Sequence, residues 1–229
     1  MGHCGEGTFE AGYDLLVLML RRNFVPDVET YKSLIDGLLQ KGDPVLAQKT
    51  LEKMLKSSHL PTTSTFHTIL EKLLKEGCAH ESASFVRLML ERRIRQNIKL
   101  STNTILQLFK NGLQDKAFEI VRLLYENGYS VNMEELIASL CLSKKLSEAC
   151  EMLLFCLEKH QSVDIDACST VISGLCKIRR VSEAFGLYYE LVEKGILQQM
   201  SCLENLRIAL VADGRLTEAE FVSKRMPGQ

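Results

Sequence analysis

VETYKSLIDGLLQKGDPVLAQKTLEKMLKSSHLPT, residues 28–62, is the stretch that decides the fold. Tyr31, Leu34, Ile35 and Leu38 fall three and four residues apart, the spacing of one apolar helix face. Lys41-Gly42-Asp43-Pro44 then breaks the pattern. Gly42 can close a first helix and Pro44 can open a second. Leu46, Ala47, Leu51, Met54 and Leu55 give the second helix its own apolar face, and Ser57-Ser58 with Pro61 end it.

The same scheme recurs along the chain. Gly42, Gly77 and Gly112 stand 35 residues apart, and so do Met19, Met54, Met89 and Leu124. Ala149, Ala184 and Ala219 are also 35 apart, each preceded by glutamate. A repeat of this length must be read before local structure. It divides the chain into units 28–62, 63–97, 98–132, 133–164, 165–199 and 200–229; the fourth is three residues short. Residues 1–27 read as the second helix of an earlier, partial unit, with Gly2 aligned to Gly37 and Gly7 to Gly42. The final unit stops at Met226-Pro227, near the end of its second helix. The chain is therefore expected to be part of a longer array. One helical pair cannot bury both of its apolar faces, but stacked pairs can. The expected fold is all-α: one continuous right-handed α-solenoid of stacked antiparallel helical hairpins.

Composition narrows the function. Among 229 residues, 46% are apolar and 25% charged, which is the balance of a folded protein and not of a disordered one. The net charge is −1, from 28 basic and 29 acidic side chains, so a uniformly basic nucleic-acid binder is excluded while a local basic row is not. No apolar run approaches the ~18 residues of a membrane-spanning helix. The eight cysteines form no C-x-x-C and lie beside no histidine at finger spacing, so they read as small buried hydrophobes and no metal site is expected.

The 35-residue unit with Val28-Glu29-Thr30-Tyr31, Leu34-Ile35-Asp36-Gly37-Leu38, Gly42, Ala47, Met54 and Pro61 resembles a pentatricopeptide repeat. Val171-Ile172-Ser173-Gly174-Leu175-Cys176-Lys177, Val181-Ser182-Glu183-Ala184 and Glu193-Lys194-Gly195-Ile196 resemble it equally. The related tetratricopeptide unit has 34 residues and a different aromatic pattern. The resemblance spans essentially the whole chain. It implies a land-plant organellar protein that binds single-stranded RNA in transcript stability, processing, splicing, translation or editing. It implies the mitochondrion first and the chloroplast as the alternative, with other organellar RNA-processing proteins as further partners. Neither a membrane nor a small-molecule substrate is implied.

In such repeats about one base is read per unit by two or three side chains. The resemblance places these at the fifth and last residues of each unit, here Lys32 with Thr62, His67 with Asn97, Thr102 with Asn132, and Ser169 with Gln199. Thr102 with Asn132 is the pair that in the family favours adenine. A lysine near the end of the first helix meets the phosphate chain, here Lys75, Lys110 and Lys177. The residue that sandwiches the base is apolar in the family but polar here, at Glu29, Ser64, Lys99, Asp166 and Ser201. Weak or partial sequence-specific binding is expected, and a scaffold for a protein segment is the alternative use of the same groove.

Catalytic constellations are missing from the sequence. There is no H-x-E with a later C-x-x-C, as a zinc deaminase requires, and no phosphate-binding glycine motif. The five histidines are scattered with no triad arrangement. The expectation is a binding protein without a cofactor.

Overall fold

The computed structural model describes residues 9–57, 59–196 and 201–226. Among them the regular elements are all helices. Gln199, the Gly2 and Gly7 alignments and Pro227 lie outside the described residues. The chain divides between Val131 and Asn132 into two compact units.

The first unit holds α1 (Phe9–Arg21), α2 (Val28–Lys41), α3 (Pro44–Lys56), α4 (Thr63–Lys75), α5 (Ala79–Glu91), α6 (Ile98–Lys110) and α7 (Gln114–Glu126). The second holds α8 (Met133–Leu142), α9 (Leu146–Glu158), α10 (Ile165–Lys177), α11 (Val181–Glu193), α12 (Leu203–Ala212) and α13 (Leu216–Ser223). Consecutive helices pair as hairpins, α2 with α3, α4 with α5, and α6 with α7. Hairpins then stack like on like: first helix on first helix (α4 on α6, α8 on α10) and second on second (α5 on α7, α9 on α11).

Local chemistry sets the helix ends. The first helices are capped by the residue before them: Asp27 accepts from the Thr30 N–H, Thr62 from Thr65, Asn97 from Leu100, Asn132 from Glu135 and Asp164 from Asp166. Each cap satisfies an amide that the helix leaves orphaned. Gly42 closes α2 in the left-handed region at φ 81°, and Pro44 follows Asp43 as the first residue of α3. That conformation carries little penalty for glycine and a real one for residues with a Cβ.

The stack is held by what lies between helices. Tyr31, Leu34, Ile35 and Leu38 on α2 are buried, as are Ala47, Leu51 and Met54 on α3. Phe66 stacks on Phe85 across the next hairpin, and Phe109 meets Phe118 edge-on in the one after. Each such side chain contributes about 1.5–3 kcal/mol by leaving water. The small residue early in the second helices is buried each time, as Ala47, Ala117, Ala149, Ala184 and Ala219. In α5 the position is Ser82, also buried, with its hydroxyl donating to the Cys78 carbonyl at 2.8 Å. The three-residue deficit of the fourth repeat falls in α8, which has 10 residues where α6 has 13.

Candidate nucleic-acid interface

Stacking α4 on α6 leaves an open groove of about 630 Å³ between the first helices of neighbouring hairpins in the first unit. His67, Glu71 and Lys75 reach it from α4. Asn97 at the cap and Lys99, Asn103, Gln107 and Lys110 on α6 reach it from the other side. Lys75, Lys99 and Lys110 are exposed, and among the described residues none of them is in an ion pair. Glu71 is the one carboxylate in the lining, so the groove carries an uncompensated positive charge in a chain of net charge −1. Such a cleft concentrates polyanions.

Two polar groups in the groove have their orientation fixed. The Nε2 of His67 lies 2.9 Å from the Arg95 carbonyl. A carbonyl can only accept, so Nε2 carries the proton and donates, and Nδ1 is left as the second ring nitrogen. The Oδ1 of Asn97 accepts from the Leu100 N–H at 3.3 Å, which leaves its amide Nδ2–H groups as donors at an exposed helix start. Gln107 ties the two walls together by donating to the Leu74 carbonyl at the end of α4.

The second unit has its own groove, of about 540 Å³, at α10. Asp166, Ser169, Thr170, Ser173 and Lys177 line it, with Leu146 of α9 and Ser201 beside them. Leu146 presses against Gly174: a Cβ added there would sit 2.5 Å from a Leu146 methyl.

The sequence-derived candidates thus part company. His67, Asn97, Lys75 and Lys110 come together in one groove. Lys177 and Ser169 line the groove of the other unit, and Ser169 is only 6% exposed. Lys32 is ion-paired to Glu29 at 3.3 Å, and Thr62 is occupied as a cap with its hydroxyl also 3.0 Å from that of Thr65. The pair expected to read adenine is placed differently from His67 and Asn97. Thr102 is fully buried, at 0% exposure, as are its α6 neighbours in sequence Ser101 and Thr104. Asn132 caps Glu135 with its oxygen and donates to the Glu135 carboxylate at 3.2 Å with its nitrogen, so both ends of its amide are engaged locally.

Lys99, Asn103 and Gln107 did not emerge from the sequence as ligand groups. Lys99 stood out there as a departure from an apolar position, although its exposure beside two helix-end lysines makes it a third cation of the same groove. The capping role of Asp27, Thr62, Asn97, Asn132 and Asp164 was not read from the sequence, although the rule that Ser, Thr, Asp or Asn precedes a helix could have found it.

Other chemistry is limited. Burial pushes the thiols of Cys150 and Cys168 up to about 12, and those of Cys156 and Cys176 up to about 11. At neutral pH they are protonated hydrophobes, not nucleophiles. Among the described residues no three His, Cys, Asp or Glu side chains gather as a metal-ligand set, and no helix is long and apolar enough to cross a membrane.

Family models agree with the repeat reading. A pentatricopeptide repeat domain matches residues 15–75, and a PPR repeat matches residues 166–196. A pentatricopeptide repeat-containing protein of Arabidopsis thaliana, named as chloroplastic, is 60% identical over 225 residues, which is 98% of this chain. The chain spans about a third of that relative, 32% of its length. Among solved structures, the maize pentatricopeptide repeat protein PPR10 is 21% identical over 94% of this chain and 36% of its own, with a TM-score of 0.38. The same protein in complex with an 18-nt psaJ RNA element is 20% identical over 96% of this chain and 38% of its own, with a TM-score of 0.33.

Proposed function

Because the chain is a pentatricopeptide repeat protein, we propose that it binds single-stranded RNA along the grooves lined by its first helices. The observation that carries this reading is the convergence of Lys75, Lys99 and Lys110 on one groove, free of ion pairs among the described residues, beside Asn97 and His67. The lysines release counterions condensed on the RNA phosphates, which supplies affinity without sequence information. The Asn97 amide and the outer His67 nitrogen supply a donor and a second hydrogen-bonding atom at fixed places, which is what reading a base edge requires. Lys177 and Ser169 offer a weaker, charge-balanced site on the second unit, where Asp166 offsets the lysine.

The role follows the family: a factor in organellar transcript metabolism that acts by holding RNA. The Arabidopsis relative is chloroplastic by name, which favours the chloroplast over the mitochondrion that the resemblance put first.

The test is a titration of the purified chain against a randomised single-stranded RNA pool between about 50 and 200 mM salt. At about −0.7 per neutralised phosphate, the three lysines of the first groove alone contribute about −2 to the log–log salt slope, and any further contact steepens it. A slope near zero, or no binding, rejects the reading and leaves the groove to a protein segment.

A further inference from the structure

The turns from first to second helix all use a left-handed residue. In the first unit these are Gly42, Gly77 and Gly112, and in the last hairpin Gly214. In the two other hairpins of the second unit the residue is Lys144, at φ 57°, and Arg179, at φ 62°. The turn itself does not call for them. The Gly77 N–H bonds the Leu74 carbonyl and the Cys78 N–H bonds Leu73. In the same way the Arg179 N–H bonds Cys176 and the Arg180 N–H bonds Leu175, while Lys144 and Lys145 bond Cys141 and Leu140. The hydrogen bonds are identical; the cation replaces a glycine at the cost of holding a Cβ in a sparsely populated region.

The side chains of this edge divide into two sets. Lys145 and Arg180, at the starts of α9 and α11, are clamped to Glu148 and Glu183. Lys144, Lys177 and Arg179 are exposed and in no ion pair among the described residues. Lys144 and Arg179 stand 35 residues apart, and because α8 packs on α10 and α9 on α11, their turns lie on one edge. Helix-end electrostatics do not explain Arg179, since Lys177 already sits in the last turn of α10. Arg93 and His160 are also left-handed, but at the opposite ends of the hairpins.

We propose that Lys144 and Arg179 are phosphate-contacting residues that carry single-stranded RNA along the turn edge of the second unit, continuing from Lys177. The proposal rests on the RNA-binding reading above. It explains why two positions suited to glycine hold long cations instead: conformational strain is retained for a backbone contact one helix step apart, about 8–10 Å.

The test compares the full chain with Lys144→Gly/Arg179→Gly and Lys144→Gln/Arg179→Gln, using the randomised RNA pool and thermal unfolding. The glycine pair raises the midpoint by about 2–4 °C or more, because the turns are relieved. It weakens RNA binding about 25-fold at 0.1 M salt and flattens the salt slope by about 1.4, at roughly 0.7 per contact. The glutamine pair weakens binding equally without the thermal gain. If the unsubstituted chain binds RNA and either double variant keeps its affinity and slope, this proposal falls and the RNA reading stands. If the unsubstituted chain binds no RNA, both fall.

Discussion

The groove between α4 and α6 and the groove at α10 occupy corresponding positions of different repeats, yet they are chemically unlike. The first gathers three unpaired lysines against Glu71; the second sets Lys177 against Asp166. The walls differ as well. At the tenth position of the repeat the first groove has Gln107, hydrogen-bonded across to Leu74, while the second has Gly174, onto which Leu146 packs. A polar bridge spans the first groove, and an apolar contact borders the second. A repeat scaffold thus conserves geometry while each groove acquires its own electrostatics, so that binding strength is set groove by groove.

The largest effect should come from stripping the first groove. Lys75→Ala with Lys99→Ala and Lys110→Ala removes three contacts worth about 5-fold each at 0.1 M salt, so RNA affinity drops about 100-fold. Lys177→Ala, in the second groove, costs about 5-fold by the same arithmetic. Equal losses from the two substitutions, measured by titration, would erase the contrast. Helical content and thermal midpoint should hold in both, because these lysines are exposed and unpaired among the described residues.

Next is Gly174→Ala. The new methyl would meet Leu146 at 2.5 Å, so Leu146 must move, at a net cost of about 1 kcal/mol after the gain in helix propensity. Denaturant unfolding measures it, and Leu146→Ala in the same chain should relieve the clash. A Gly174→Ala chain as stable as the original would mean that the floor of the second groove is looser than described.

Smallest is the separation of cap from contact at Asn97. Asn97→Asp keeps an oxygen for the Leu100 N–H and suits the positive helix end, so stability should stay within about 0.5 kcal/mol. The donor amide is lost and a negative charge enters the groove, so RNA binding should weaken several-fold. Asn97→Ala, in contrast, should cost about 1 kcal/mol of stability by loss of the cap. Unchanged binding in Asn97→Asp would make the residue a cap alone.

The hairpins were legible because burial enforces periodicity. Leu34, Ile35, Leu51 and Met54 must recur at helical spacing if each hairpin is to cover the next, and Gly42 marks a turn that only a left-handed residue can make. The groove was legible in part. Lys75 and Lys110 follow from spacing, since a residue at the end of each first helix returns to the same edge. The burial of Thr102 was not legible, because repeat position alone does not set burial. In α6 the run of small hydroxyl residues Ser101, Thr102 and Thr104 sinks into the packing, where His67 at the matching place in α4 stays half-buried at the surface. The local engagement of Asn132 was not legible either, because the bonds of its amide oxygen and nitrogen to Glu135 are a local competition that the repeat register cannot express. Lys99 was missed because a polar residue at a usually apolar position was weighed as a loss and not as a charge.

The most direct measurement is ultraviolet crosslinking of bound single-stranded RNA to the full chain, with the crosslinked peptides identified by mass spectrometry. Crosslinks concentrated in the segments His67 to Lys75 and Asn97 to Lys110 are the predicted result. Crosslinks confined to the second helices, such as α5 and α7, would contradict the assignment of RNA to the first-helix groove.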